Sequence, residues 1–221
     1  MKFSVMIPTL VSNDKQMAMT VKCIELAREK TKIPFELVIV ETGTELLFED
    51  FSDVYINELE KTTATQSFNN GFMNCSGDYI TLLTNDVYVD DGWLEALYEC
   101  FEKKSDCGIA TLATDQFHHE KHDEISEGVW FSVAMFPKQD KYFDEAYVNS
   151  WDDTDFVMRN YLNGKKMYRN YNCVVKHLIG QTHYASPKHY ENFRKNADLF
   201  KSRYRDCGHY MYDILTGGRV I

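Results

Sequence analysis

The chain has 221 residues, 44% of them hydrophobic, enough for one sizeable core or one core with a small subdomain. No apolar run approaches the roughly 18 residues of a membrane-spanning helix. The net charge of −10 is uneven: residues 1–158 carry 12 Lys or Arg against 30 Asp or Glu, and residues 159–205 carry 11 against 2. The opening MKFSVMIPTLVSND lacks the apolar length and cleavage site of an export signal, and FSVMI, ended by Pro8, reads as a first buried strand. Ser12 or Asn13 can cap a helix whose apolar face is Met17, Val21 and Ile24. FELVIV (35–40) and DVYIN (53–57) are the next strands. Phe68, Phe72 and Cys75 share a face of a short helix that Ser76-Gly77 ends. YITLL (79–83) is a strand, Trp93, Leu94, Leu97 and Phe101 suit a helix, and GIATLAT (108–114) is a strand. Residues 115–128 read as an irregular polar loop, 129–136 as a strand, 152–164 as a helix, 166–178 as a strand, and 187–206 as a basic helix.

Strands alternating with helices predict an α/β domain with a mostly parallel twisted sheet flanked by helices. Ligands of such sheets bind at the carboxyl ends of the strands. Three places qualify: Pro8-Thr9, Glu41-Thr42 and Asn85-Asp86. In the stretch NDVYVDD, Asp86 is the functional candidate, and Asp90 and Asp91 read as structural, with Asp91 suited to a helix N-cap or first turn. A carboxylate at a strand end suits Mg²⁺ or Mn²⁺, and His177, at the end of its strand, is an available second ligand. The cluster Trp151-Asp152-Asp153-Thr154-Asp155 opens another helix. Asp152 as N-cap and Asp155 three residues on would form a variant capping box. Asp153 lies about 100° around the helix from Asp152 and can face a pocket, ionised near the helix N-terminus.

The segment HHEKHDE (118–124) holds i,i+3 and i,i+4 histidine pairs, but its order is not His-Glu-x-x-His and its flanks lack helical periodicity. The six cysteines form no Cys-x-x-Cys pair and read as reduced thiols of a cytoplasmic protein, with peripheral membrane attachment left open. The basic segment suggests either an anionic partner or a solvated helix.

In order along the chain, FSVMIPTL, ELVIVETGT, NNGFMNCSGDYITLLTNDVYVDDGWL, FDEAYVNSWDDTDFVMR and VVKHLIGQTH resemble the blocks of the family 2 glycosyltransferases, enzymes of the GT-A fold. The resemblance implies a single GT-A-like domain with a small acceptor-side α+β part. Residues 1–115 would form the nucleotide-sugar-binding half, 116–186 the acceptor-binding and catalytic half, and 187–221 a basic helix and tail. It implies an inverting transfer from a nucleotide-diphosphate sugar, a UDP-sugar first of all, to an acceptor hydroxyl. Pro8, Thr9, Glu41, Asn69, Asn85 and Asp86 would line the donor site, with Thr9 and Glu41 at the nucleoside. Asp86 matches the last acid of the family's Asp-x-Asp, with Thr84 in the place of the first. His177 matches the late His that holds metal or diphosphate, here Mn²⁺ or Mg²⁺. Asp153 matches the catalytic base, Asp152 the acid before it, and Trp151 supports the acceptor. A binding module without efficient catalysis, and a transferase acting on an anionic acceptor such as nucleic acid, are the alternatives. The acceptor itself, whether glycan, glycolipid, protein or nucleic acid, is not written in the sequence. A nucleotidyltransferase would show a Gly-rich loop after the first strand, which PTLVSND lacks.

Overall fold

The computed structural model describes residues 1–43, 47–59, 62–116, 123–129, 131–178 and 187–217. Strand β1 (Phe3–Thr9) leads into helix α1 (Asp14–Glu29), whose N-cap Asn13 accepts a hydrogen bond from the Gln16 N–H. Strands β2 (Glu36–Thr42) and β3 (Val54–Glu58) follow, separated by a single 3₁₀ turn at Glu49–Phe51. Helix α2 (Ala64–Asn74) opens on a capping box between Thr63 and Gln66. Next come β4 (Tyr79–Leu83), β5 (Val87–Tyr88), α3 (Trp93–Lys103) and β6 (Cys107–Thr114). Two short strands, β7 (Ile125–Glu127) and β8 (Val133–Pro137), precede α4 (Asp152–Leu162) and the long β9 (Lys166–His177). Helices α5 (Pro187–Tyr204) and α6 (Tyr210–Gly217) complete the order.

The strands form one sheet in the order β3-β2-β1-β4-β8-β6-β9-β5, with β7 paired to β9. The parallel arrangement expected from the sequence holds across β3, β2, β1 and β4, and again between β6 and β9. Strand β8 enters antiparallel to both β4 and β6. It begins at Val133 rather than 129 because its partner β4 ends at Leu83, which Val133 faces.

Alternation along each strand divides the core in two. Val5, Ile7, Leu37 and Ile39 pack with residues of α1 and α3 on one face. Met6, Val38, Val40 and Leu82 pack with residues of α2, α4, α5 and α6 on the other. Each such buried side chain contributes about 1.5–3 kcal/mol of transfer free energy. At Gly71 a Cβ would meet Met6 and Val40 side chains at 2.6 and 2.8 Å, so glycine lets α2 press directly on β1 and β2. That close approach sets the start of α2 at the carboxyl rim of the sheet.

Two capping expectations are corrected. The N-cap of α3 is Gly92, with φ 75°, not Asp91. Asp91 instead pairs with Lys30 at 3.2 Å. The N-cap of α4 is Trp151, and Asp152 is already inside the helix, so no capping box forms there. Asp152 and Asp155 have stronger partners in the tertiary structure, described below. The segments 118–122 and 179–186, which include the histidine-rich motif and the end of VVKHLIGQTH, lie outside the described residues. The described cysteines are all free, five of them buried and Cys207 exposed. No described helix is long and apolar enough to cross a membrane.

Candidate active site

The strand order reverses at β1: β2 and β3 lie to one side of it and β4 to the other. β1 pairs with β4 only as far as Met6–Leu82, but with β2 as far as Thr9–Glu41. Pro8 therefore sits where its missing N–H costs no bond to β4. Beyond Met6 the two strands part, and a crevice at such a reversal is where α/β sheets take their ligands.

Asp86 lies at this rim, in the turn between β4 and β5. It is 8% exposed, and His177 Nε2 lies 3.4 Å from its Oδ2. The backbone makes this meeting, although the two residues are far apart in sequence. Val87 pairs with His177 across β5 and β9, and the Leu178 N–H donates to the Asp86 carbonyl at 2.9 Å. On the way the register of β9 against β6 shifts between Leu112–Asn170 and Ala113–Val174, taking up extra β9 residues. Such a bulge re-aims the end of a strand. Burial pushes the Asp86 carboxyl up, but the His177 ring and the Thr84 hydroxyl outweigh it and hold the carboxyl below its ordinary range. Thr84, in the place of the family's first acid, donates its hydroxyl to the Ser132 carbonyl at 3.3 Å.

The second group is carried by the first turn of α4. Asp152 is 6% exposed, and its Oδ2 lies 2.8 Å from the Thr65 hydroxyl at the start of α2. The same hydroxyl is 2.8 Å from the Tyr147 carbonyl, and one proton cannot serve both acceptors at once. A protonated Asp152 donating to Thr65, with Thr65 donating to Tyr147, satisfies all three. Burial first, and the neighbouring Asp153 carboxylate second, push the Asp152 carboxyl up to about 7. Asp153 is half-buried on the adjacent face, and its Oδ1 accepts from the Thr154 N–H at 2.7 Å and the Thr154 hydroxyl at 3.1 Å. Asp155 is fully buried and accepts from Arg159 Nε and from the Tyr204 hydroxyl, each at 2.7 Å. Trp151 is buried in the left-handed region, φ 67°. That conformation costs an L-residue about 1–2 kcal/mol.

The remaining expected residues have their polar groups engaged within the protein. Thr9 is 4% exposed and donates to the Val40 carbonyl at 3.4 Å. The Glu41 carboxylate accepts from the Leu47 and Phe48 N–H groups and from the Tyr55 hydroxyl, the last at 2.7 Å. Asn69 donates to the Phe143 carbonyl at 2.8 Å and accepts from the Phe143 N–H at 3.0 Å, clamping that loop to α2. Asn85 donates to the Thr20 hydroxyl of α1 at 2.9 Å, anchoring the Asp86 turn. Sequence reasoning missed Thr65 and strand β5. The signal that could have found the helix start placing Thr65 is the Thr63–Gln66 capping-box spacing.

Asp86 and His177 could act as adjacent ligands of one cation. Donors about 3 Å apart are what octahedral Mg²⁺ or Mn²⁺ requires of neighbouring ligands, and the observed 3.4 Å is near that. Among the described residues no third His, Cys, Asp or Glu joins them, so phosphates and water would complete such a shell.

An α/β sheet with ionisable side chains gathered where its strand order reverses is a protein that binds its ligand at the strand ends. The chain belongs to glycosyl transferase family 2, whose profile matches residues 4–164. The fold is similar to that of S. aureus TarS. The TarS 1–349 crystal structure superposes with a TM-score of 0.65 at 16% identity, over 98% of this chain and 69% of that one. Its complex with UDP-GlcNAc gives a TM-score of 0.64 at 17% identity, over 99% of this chain and 71% of that one. The complex with UDP gives 0.62 at 15% identity, over 99% and 70%. No curated protein matches the chain by sequence.

Proposed function

We propose that this glycosyltransferase transfers a sugar, with inversion, from a UDP-sugar to an acceptor hydroxyl in the cytoplasm. The observation that carries the reading is the Asp86–His177 contact at 3.4 Å, at the point where β1 and β4 part. The TarS structures that hold UDP and UDP-GlcNAc make these the first ligands to try. Thr9 and Glu41 close the nucleoside end of the cleft, Glu41 through the 47–48 backbone it holds. Asn69 and Asn85 position their loops, and Asp86 with His177 would hold Mn²⁺ or Mg²⁺ against the diphosphate. A divalent cation bound there supplies neutralisation of the charge that grows on the departing diphosphate.

Asp153 takes the proton from the acceptor hydroxyl. The acceptor oxygen then forms its bond to the anomeric carbon as the bond to the diphosphate oxygen breaks on the opposite face. Asp152 is not assigned that role, because its carboxyl is buried, bonded to Thr65 and pushed up to about 7. It fixes the first turn of α4 instead. Trp151 supports the same turn beside the acceptor. A second reading, an acceptor bearing phosphates, draws on the basic segment 159–205, whose exposed side chains on α5 include Arg194, Lys195 and Lys201. That binding would weaken steeply with salt.

A thermal-shift panel of nucleotide-sugars tests the donor. A UDP-sugar with Mn²⁺ raises the midpoint by mass action, and Asp86→Ala abolishes the Mn²⁺-dependent part. No shift with any UDP-sugar would end the reading.

A further inference from the structure

The turn that delivers Asp152 and Asp153 is held by a helix beyond residue 164, where the family match stops. Asn149 and Trp151 both have positive φ, 59° and 67°. Neither is glycine, so the surrounding structure must impose the conformation. On one side the turn is pinned to α2, where Asn149 Oδ1 accepts the Ala64 N–H at 2.7 Å. On the other side stands Asn196 of α5, 4% exposed. Its Nδ2 lies 3.0 Å from the Val148 carbonyl, 2.8 Å from the Ser150 carbonyl and 2.9 Å from the Ser150 hydroxyl. Its Oδ1 accepts the Val148 N–H at 3.4 Å. Phe193 and Phe200 of the same helix pack on the Trp151 ring, with centroids 5.6 and 5.3 Å away. At the end of α5, Tyr204 reaches Asp155, and Arg203 pairs with Asp144 at 2.6 Å.

We propose that Asn196 is a positioning residue for the transfer step, holding the left-handed Asn149–Trp151 turn so that the first turn of α4 aims Asp153 at the acceptor oxygen. The inference rests on the reading of Asp153 as the base. Asn196 touches neither donor nor acceptor. Without its bonds the turn can relax toward negative φ, and the start of α4 swings with it. A base displaced by about 1 Å can lose on the order of 10²-fold in rate. The Asp86–His177 pair is carried by β5, β9 and the β4–β5 turn, so donor binding does not depend on this turn.

The test compares Asn196→Ala with Leu199→Ala, which loosens the packing of the same helix without reaching the turn. UDP release from UDP-GlcNAc is followed with water as acceptor. In Asn196→Ala, kcat falls about 10–100-fold while KM for UDP-GlcNAc stays within about twofold. Amide exchange over 149–155 speeds up, and exchange in β4 does not change. Leu199→Ala lowers the thermal midpoint and leaves kcat intact. Unchanged kcat in Asn196→Ala, with turnover lost in Asp153→Asn, overturns this inference and leaves the base in place. An equal loss of kcat in Leu199→Ala also overturns it, by tracing the effect to general loosening. Turnover retained in Asp153→Asn removes the base, and this inference with it.

Discussion

Asp86 and Asp152 are both buried at the carboxyl rim of the sheet, yet their surroundings hold them in opposite states. Asp86 meets an imidazole and a hydroxyl, and its carboxyl stays below the ordinary range. Asp152 meets burial and the Asp153 carboxylate, and its carboxyl rises to about 7. Residue type is shared; the difference lies in how completely each carboxyl is buried and in what its oxygens face. It separates a carboxylate fit to hold a cation from a carboxylic acid fit to brace a helix. Asp153, beside the acid but less buried, is the proposed proton acceptor.

The largest expected effect comes from Asp153→Asn, which removes the acceptor and keeps the shape. Turnover should fall about 10²–10⁴-fold, the usual worth of a general base. Calorimetric affinity for the UDP-sugar should stay within about twofold, and an equal loss of affinity would move Asp153 into the donor site. Asp86→Ala comes next. UDP-sugar affinity in Mn²⁺ should drop about 10–100-fold, as losses around metal sites do, while affinity without metal changes little. Equal losses with and without Mn²⁺ would show that the Asp86–His177 pair serves only the fold.

Asp152→Asn sharpens the contrast through stability. In the folded protein Asp152 keeps its proton up to about 7, whereas the unfolded chain releases it near the ordinary 3.8. Its contribution is therefore complete below that ordinary value and is lost as pH rises toward 7. Asparagine should flatten this slope and stabilise the protein at pH 8 by on the order of 1–3 kcal/mol in urea unfolding. Asp86 works with the opposite sign, its stabilisation being lost as pH falls below the ordinary carboxylate range. Destabilisation of Asp152→Asn at pH 8 would mean that the native carboxyl is ionised. The smallest effect is expected for Asn85→Ala, which leaves the buried Thr20 hydroxyl without its donor and should cost about 1–2 kcal/mol.

The parallel half of the sheet was legible because its strands are continuous apolar runs, such as FELVIV for β2, and its helices carry local signals, such as Asn13 before α1. Asp86 and His177 were legible as candidate ligands from their strand-end positions, and the family resemblance gave both a place at the diphosphate; what stayed hidden was the strand pairing that joins them. One partner in it, the two-residue β5, is too short to show any periodicity. The role of Asp152 was misread as a cap because its partner Thr65 is 87 residues away, and local spacing favoured the nearer explanation. α6 was hidden likewise, in a tail whose charge pattern carried no turn signal beyond Gly208, with φ 67°.

The most direct test of the shared cleft is a crystal structure with Mn²⁺ and UDP-GlcNAc. The account predicts the cation between Asp86 Oδ2 and His177 Nε2, the diphosphate beside it, and the Asp153 carboxylate facing the anomeric carbon from the side away from the diphosphate. A diphosphate bound away from the β1–β4 crevice, or Asp153 turned from the sugar, would contradict it.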